Sequence, residues 1–132
     1  MRPYIVAEVN SSHNGDIEVA KRMIDAAAEA GCDCVKFQSW SAESLYSATY
    51  YKANPISKRI VKKFSLTQEQ LRDMAEYSRS KGIDFSSTPY SREEVNWLVE
   101  ECKAPFIKVA SMDLNNYLYF GMPLYQQHQS NY

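Results

Sequence analysis

The chain has 132 residues, a formal net charge of −1 and a 23% share of charged residues, which is the size and balance of one ordinary globular domain with a modest core. The near-neutral charge excludes an electrostatic footprint for nucleic acid or an anionic membrane, and the longest apolar runs are too short to span a bilayer. No secretory leader is visible before the first strand, and Cys32, Cys34 and Cys102 lack a CxxC spacing, so they read as reduced thiols of a cytoplasmic protein.

Strand and helix then alternate along the chain. Residues 4–8 predict a first strand, short and closed by polar residues. Asp16 is placed to N-cap a helix running to about Ala30, with Ile17, Ala20, Ile24, Ala27 and Ala28 as its buried stripe and Gly31 as its stop. A second strand covers residues 34–38. Residues 39–65 break the rhythm with several tyrosines, Asn54-Pro55 and the basic run Lys58-Arg59-Ile60-Val61-Lys62-Lys63. A connection of that length is either functional or holds short helices of its own, and the basic run is a solvated helix face or a binding patch.

Thr67-Gln68-Glu69-Gln70 is a capping box opening a helix that ends near Gly82. Residues 84–87 predict a third strand. Ser91-Arg92-Glu93-Glu94 is a second capping box, followed by Val95, Leu98, Val99 and Cys102 on one stripe. Pro105 bars continuation of that helix, and a fourth strand is predicted over residues 106–110. This order implies a parallel sheet with right-handed crossovers. Four such units are half of an eight-stranded barrel, and half a barrel leaves open edges that favour self-association. Residues 118–132 carry no helical or strand period and read as an atypical tail beyond a unit spanning residues 1–117.

The strands end in residues that an ordinary buried strand avoids. Side chains alternate faces, so Lys36 shares a face with Gln38, and Ser86 with Thr88. Lys36 lies between Val35 and Phe37, and Lys108 between Ile107 and Val109. Lysines carried into apolar strands are costly unless buried acids or an anionic substrate meet them. Strand ends delivering such groups to one rim are how a (β/α) barrel builds its active site. The loop Glu8-Val9-Asn10-Ser11-Ser12-His13-Asn14-Gly15 adds an acid, a histidine and small polar groups at the same rim. His13 there is a turn or capping residue, or a catalyst. Ser87-Thr88-Pro89-Tyr90-Ser91 leads into a helix N-terminus, where backbone donors can hold a phosphate or carboxylate.

Five segments in order resemble the N-terminal catalytic barrel of the sialic acid synthase family: Ala7-Glu8 with Ser12-His13-Asn14-Gly15-Asp16, Val35-Lys36-Phe37-Gln38, Gly82-Ile83-Asp84-Phe85, Ser87-Thr88-Pro89-Tyr90-Ser91, and Ile107-Lys108-Val109-Ala110-Ser111 running into Asn115-Asn116-Tyr117. The resemblance implies the N-terminal half of a (β/α)8 TIM barrel with about four parallel strands. It further implies condensation of phosphoenolpyruvate with an N-acylated amino sugar to form a nonulosonic acid. Lys36, Thr88, Lys108 and Ser111 would then bind phosphoenolpyruvate, Gln38 would face the sugar, and Glu8 would sit near the reacting carbonyl. Asp113 stands where the family commonly has Glu, one methylene longer, and would contact the sugar.

The family's metal, Mn²⁺ or Mg²⁺, is held by histidines of the second half-barrel. The 132 residues are therefore expected neither to bind the metal nor to turn over alone. His128, in the tail, matches neither of those histidines. Two alternatives stand beside this reading: a related octulosonate or heptulosonate synthase, and a non-enzymatic α/β remnant that binds an anion or a partner through the same rim.

Overall fold

Three parallel strands organise the chain: β1 (Val6–Asn10), β2 (Cys34–Ser39) and β3 (Asp84–Pro89), hydrogen-bonded in the order β1-β2-β3. The structure, a computed structural model, describes residues 1–116. Helix α1 (Ile17–Glu29) connects β1 to β2; α2 (Ala42–Leu45), α3 (Ala48–Ala53), α4 (Pro55–Phe64) and α5 (Gln68–Ser80) lie between β2 and β3; α6 (Arg92–Glu100) follows β3. The long connection thus holds helices. The basic run forms the exposed side of α4, while Val61 turns inward against Ala42 and Tyr51.

The pleat divides the sheet into two chemically different faces. Val35, Phe37 and Phe85 are buried toward the helices with Ala20, Ile24, Leu71, Met74 and Leu98, and Phe37 stacks on Phe85 at 5.4 Å between centroids. The intervening residues Glu8, Lys36, Gln38, Ser86 and Thr88 take the opposite face, which in a closed barrel is the interior. At about 25 cal/mol per Å² of apolar surface, the helix-facing aromatics and aliphatics dominate what holds the layers together.

Helix ends follow the sequence signals closely. Asp16 accepts from the backbone of Glu18 and Val19 at 2.8 and 3.1 Å, and Thr67 with Gln70 forms a reciprocal capping box. At α6 Ser91 accepts from the Glu94 N–H, and the Glu94 carboxylate interacts with the Ser91 backbone and also takes the Tyr90 N–H at 2.6 Å. Burial raises the thiol of Cys34 to about 11 and that of Cys102 to about 12, so both are packed thiols with little nucleophilic character.

Two strand expectations need correction. The first strand is shifted to Val6–Asn10, because Glu8 is paired with Lys36 and its charge does not end the strand. The fourth strand is reduced to a single parallel bridge, Ser87 with Ile107, supported by the Lys108 N–H donating to the Ser87 carbonyl at 3.2 Å. The Phe106 carbonyl is taken by the Ser86 hydroxyl, so it is not free for a longer backbone ladder with β3. The tail over residues 118–132, with Tyr117 and His128, lies outside the described residues.

Candidate active site

Lys36 is the centre of the interior face. Its side chain is only 8% exposed, and its ammonium sits 2.6 and 2.7 Å from the two Glu8 carboxylate oxygens. Register brings them together, since Glu8 and Lys36 are direct partners across β1 and β2. Glu8 is about half exposed, so water reaches the acid while the base is enclosed. An ammonium has three donors, and Glu8 does not exhaust them. Ser86 stands beside Lys36 in register, and its hydroxyl donates to the Phe106 carbonyl, tying the last segment to β3.

One step toward the carboxyl ends of the strands, Gln38 lies opposite Thr88. The Gln38 amide donates to the Tyr90 hydroxyl at 3.1 Å. Burial raises the Tyr90 phenol, and the Asp113 charge acts in the same direction. Asp113 and Ser111 both fall on a short 3-10 helix, Ser111–Asp113, with Ser111 exposed. Because Ile107 pairs with Ser87, Lys108 takes the parity of Thr88 and faces the same interior. Lys108 is exposed, and among the described residues no carboxylate lies within ion-pair distance of it. Five of the seven predicted positions therefore share one face through register or parity: Glu8, Lys36, Gln38, Thr88 and Lys108. Ser111 follows on the adjoining turn. Tyr90 is the residue that site reasoning missed, although its position two residues beyond Thr88 could have found it.

His13 takes the structural role of the two open to it. It is 1% exposed and packs its ring against Phe37 on the helix side of the sheet, and its Nδ1 accepts the Gly15 N–H at 3.0 Å. Burial lowers its pKa by disfavouring the imidazolium. The folded state holds His13 neutral, so its contribution is complete above the unfolded value near 6.5 and is lost as pH falls below it. The slope is at most about 1.4 kcal/mol per pH unit for one proton. Urea midpoints of the wild type should fall between pH 7.5 and pH 5.0 by more than those of His13→Gln. Equal falls in the two proteins would remove His13 from the explanation.

Among the described residues no three His, Cys, Asp or Glu side chains gather where they could hold a metal ion. Glu8 is engaged by Lys36, and His13 is on the other face, so these residues do not by themselves fit a divalent cation.

A parallel α/β sheet with a buried lysine and with amide and hydroxyl groups at the carboxyl ends of its strands has the layout of part of a (β/α) barrel. Residues 23–124 match the NeuB family, and the chain belongs to that family. It is 34% identical over 124 residues to the human N-acetylneuraminate-9-phosphate synthase, covering 88% of this chain and 34% of that protein. It is 32% identical over 128 residues to the N,N'-diacetyllegionaminic acid synthase of Legionella pneumophila, covering 90% of this chain and 36% of the relative. Among solved structures, the N-acetylneuraminic acid synthetase of Leptospira borgpetersenii in complex with citrate superposes with a TM-score of 0.77 at 31% identity, over 87% of this chain and 38% of that one. The chain thus spans about a third of the length of the curated relatives it matches.

Proposed function

We propose that this chain supplies the phosphoenolpyruvate-binding half of a nonulosonate synthase, working in the cytoplasm on an N-acylated amino sugar. The observation that carries the proposal is the enclosed Lys36 ammonium, on one face with Gln38, Thr88 and Lys108, which no carboxylate pairs among the described residues. Two cations at one strand rim suit a ligand with both a carboxylate and a phosphate, and charge-assisted hydrogen bonds of this kind are the strong ones. Thr88 and Ser111 offer hydroxyls to the same anion. Gln38, held by Tyr90, and Asp113 are set to meet the hydroxyl and amide groups of the sugar.

In the reaction, the enol C3 attacks the sugar aldehyde, forming the new C–C bond while the aldehyde oxygen takes a proton. Water adds to the former enol C2, and the tetrahedral intermediate releases inorganic phosphate to leave a 2-keto acid. Lys36 and Lys108 neutralise the phosphate and carboxylate throughout, and their fixed positions supply orientation as well as charge. Glu8, the half-exposed partner of Lys36, is the residue to which this proposal assigns the proton transfer. Mn²⁺ or Mg²⁺ enters this proposal only through ligands other than the described residues.

Calorimetric titration with phosphoenolpyruvate tests it. Binding is expected for the wild type, and Lys36→Ala and Lys108→Ala should each weaken it by about tenfold or more, the value of one charge-assisted contact. Binding that is absent at millimolar ligand, or unchanged in both variants, would overturn the assignment. The same 132 residues mixed with phosphoenolpyruvate, an N-acylated hexosamine and Mn²⁺ are expected to release no phosphate, since the relatives are about three times longer. Release that requires both substrates and exceeds the Lys36→Ala background would refute this second expectation.

A further inference from the structure

The last paired residues of β2 and β3 are Ser39 and Pro89, one step beyond Gln38 and Thr88. From there the chain leaves the sheet in two segments. One runs through Trp40 and Ser41 into α2, the other through Tyr90 and Ser91 into α6. The strand ladder no longer holds these two segments together, although both adjoin the interior face.

Glu94, in the first turn of α6, joins them. It is 6% exposed, and its carboxylate takes the Tyr90 N–H at 2.6 Å. The same group interacts with the backbone of Ser91, with the backbone of Ser41 and with the Ser44 side chain. Capping α6 requires only the contact with Ser91. Ser41 and Ser44 belong to the segment after β2, so the carboxylate clamps one segment to the other. Enclosing a carboxylate is costly unless its lone pairs are met. Its two oxygens offer about four such positions, which the contacts with Tyr90, Ser91, Ser41 and Ser44 match. Burial raises the Glu94 carboxyl, and each of those contacts pulls it back.

Tyr90 carries the clamp into the site. Its N–H is held by Glu94, its ring meets Trp40 edge-on at 5.8 Å, and its hydroxyl accepts from the Gln38 amide at 3.1 Å. Because that oxygen accepts, the Tyr90 hydroxyl keeps its own hydrogen as a donor, while Gln38 keeps a carbonyl acceptor. A sugar hydroxyl, which donates and accepts, can meet both. We propose that Glu94 is a positioning residue for the sugar, fixing Gln38 through Tyr90, and that Tyr90 is a specificity residue whose hydroxyl donates to the sugar. The sugar as ligand rests on the synthase reading, whereas the clamp is a property of this chain alone.

The clamp is tested without ligand. In proton–nitrogen correlation spectra, the Gln38 side-chain amide is identified by its loss in Gln38→Ala. Its signals should be well separated and slow to exchange in the wild type, and should move to free-glutamine positions in Tyr90→Phe. Glu94→Gln keeps the volume but turns donors toward donors, and should move them as far. Glu94→Asp keeps the carboxylate and should preserve more of the wild-type signal than Glu94→Gln. If Glu94→Gln does not fold, Glu94→Asp and Tyr90→Phe decide the matter. Unchanged Gln38 signals in the folded variants would overturn the clamp. Calorimetric titration of N-acetylmannosamine into the phosphoenolpyruvate-loaded chain then tests the ligand. Tyr90→Phe and Glu94→Gln should each lose about tenfold in sugar affinity, and less than that in phosphoenolpyruvate affinity. Equal losses for both ligands would reduce Glu94 to a purely structural role. Wild type that binds phosphoenolpyruvate but no sugar would overturn the sugar assignment alone. Wild type that binds neither would overturn the synthase reading and the sugar assignment with it, leaving the clamp to the spectra.

Discussion

Gly15→Ala is expected to destabilise the chain by about 2–4 kcal/mol, a large part of the 5–15 kcal/mol typical of a whole domain. Gly15 sits at φ +77°, and a Cβ built there would lie 2.1 Å from the Lys63 carbonyl oxygen. The left-handed backbone alone costs a non-glycine residue about 1–2 kcal/mol. The clash adds the cost of moving main chain, because the obstructing atom is backbone at the end of α4. That loop also carries His13, so displacement would loosen the ring packed on Phe37. In urea, with a slope of roughly 1 kcal/mol per M for a chain of this size, the midpoint should fall by about 2 M or more. Gly82→Ala is the control: its φ is +79° but nothing lies within 4 Å of the added Cβ, so about half the loss is expected. Equal losses at the two glycines would show that the contact with α4 contributes nothing.

The 132-residue chain studied alone is expected to self-associate. The outer edge of β1 has no neighbouring strand among the described residues, and the segment at Ile107 is joined to β3 by one bridge. Unpaired edges of this kind template pairing with other chains. Tyr4, Ile5 and Phe106 add apolar area, being 52%, 45% and 36% exposed. At about 25 cal/mol per Å², covering even a few hundred Å² of such surface is worth several kcal/mol, enough to drive association at ordinary protein concentrations. Sedimentation equilibrium should report a mass above 15.2 kDa that rises with concentration. A monodisperse monomer that unfolds cooperatively would count against this expectation.

Much of the site was legible because strand parity is a strict rule. Lys36 and Gln38 had to share a face, and register then placed them opposite Ser86 and Thr88. The helix starts were legible for a similar reason, since Asp16, Thr67 and Ser91 satisfy local donors that any helix leaves open. What sequence could not supply was partnership across distance. Nothing in the spacing said that Glu94 would also take the Tyr90 N–H, or that Gln38 would be held by the Tyr90 hydroxyl. Parity also could not say how far Phe106 and its neighbours would pair, because the Phe106 carbonyl is engaged by a side chain, Ser86, from β3. His13 shows the remaining limit. Its position at the rim suited catalysis, but the local fold turned it behind the sheet onto Phe37.

The irregularity in β1 has a consequence for how this chain can change length. Glu8 pairs with Lys36 and Asn10 pairs with Phe37, so Val9 is an extra residue that interrupts the ladder and reaches the helix-side core. Asn10 then adopts φ +51°, which starts the chain's descent toward His13 and Gly15. Between the carboxylate that meets Lys36 and the glycine that meets Lys63, the residue count is therefore fixed at both ends. Adding or deleting one residue there would unseat either the charge pair or the glycine contact. The connection over residues 40–66, which carries α2, α3 and α4, has no such double anchor on the interior face. Insertions should accumulate in that longer connection, while the short loop before α1 keeps its length.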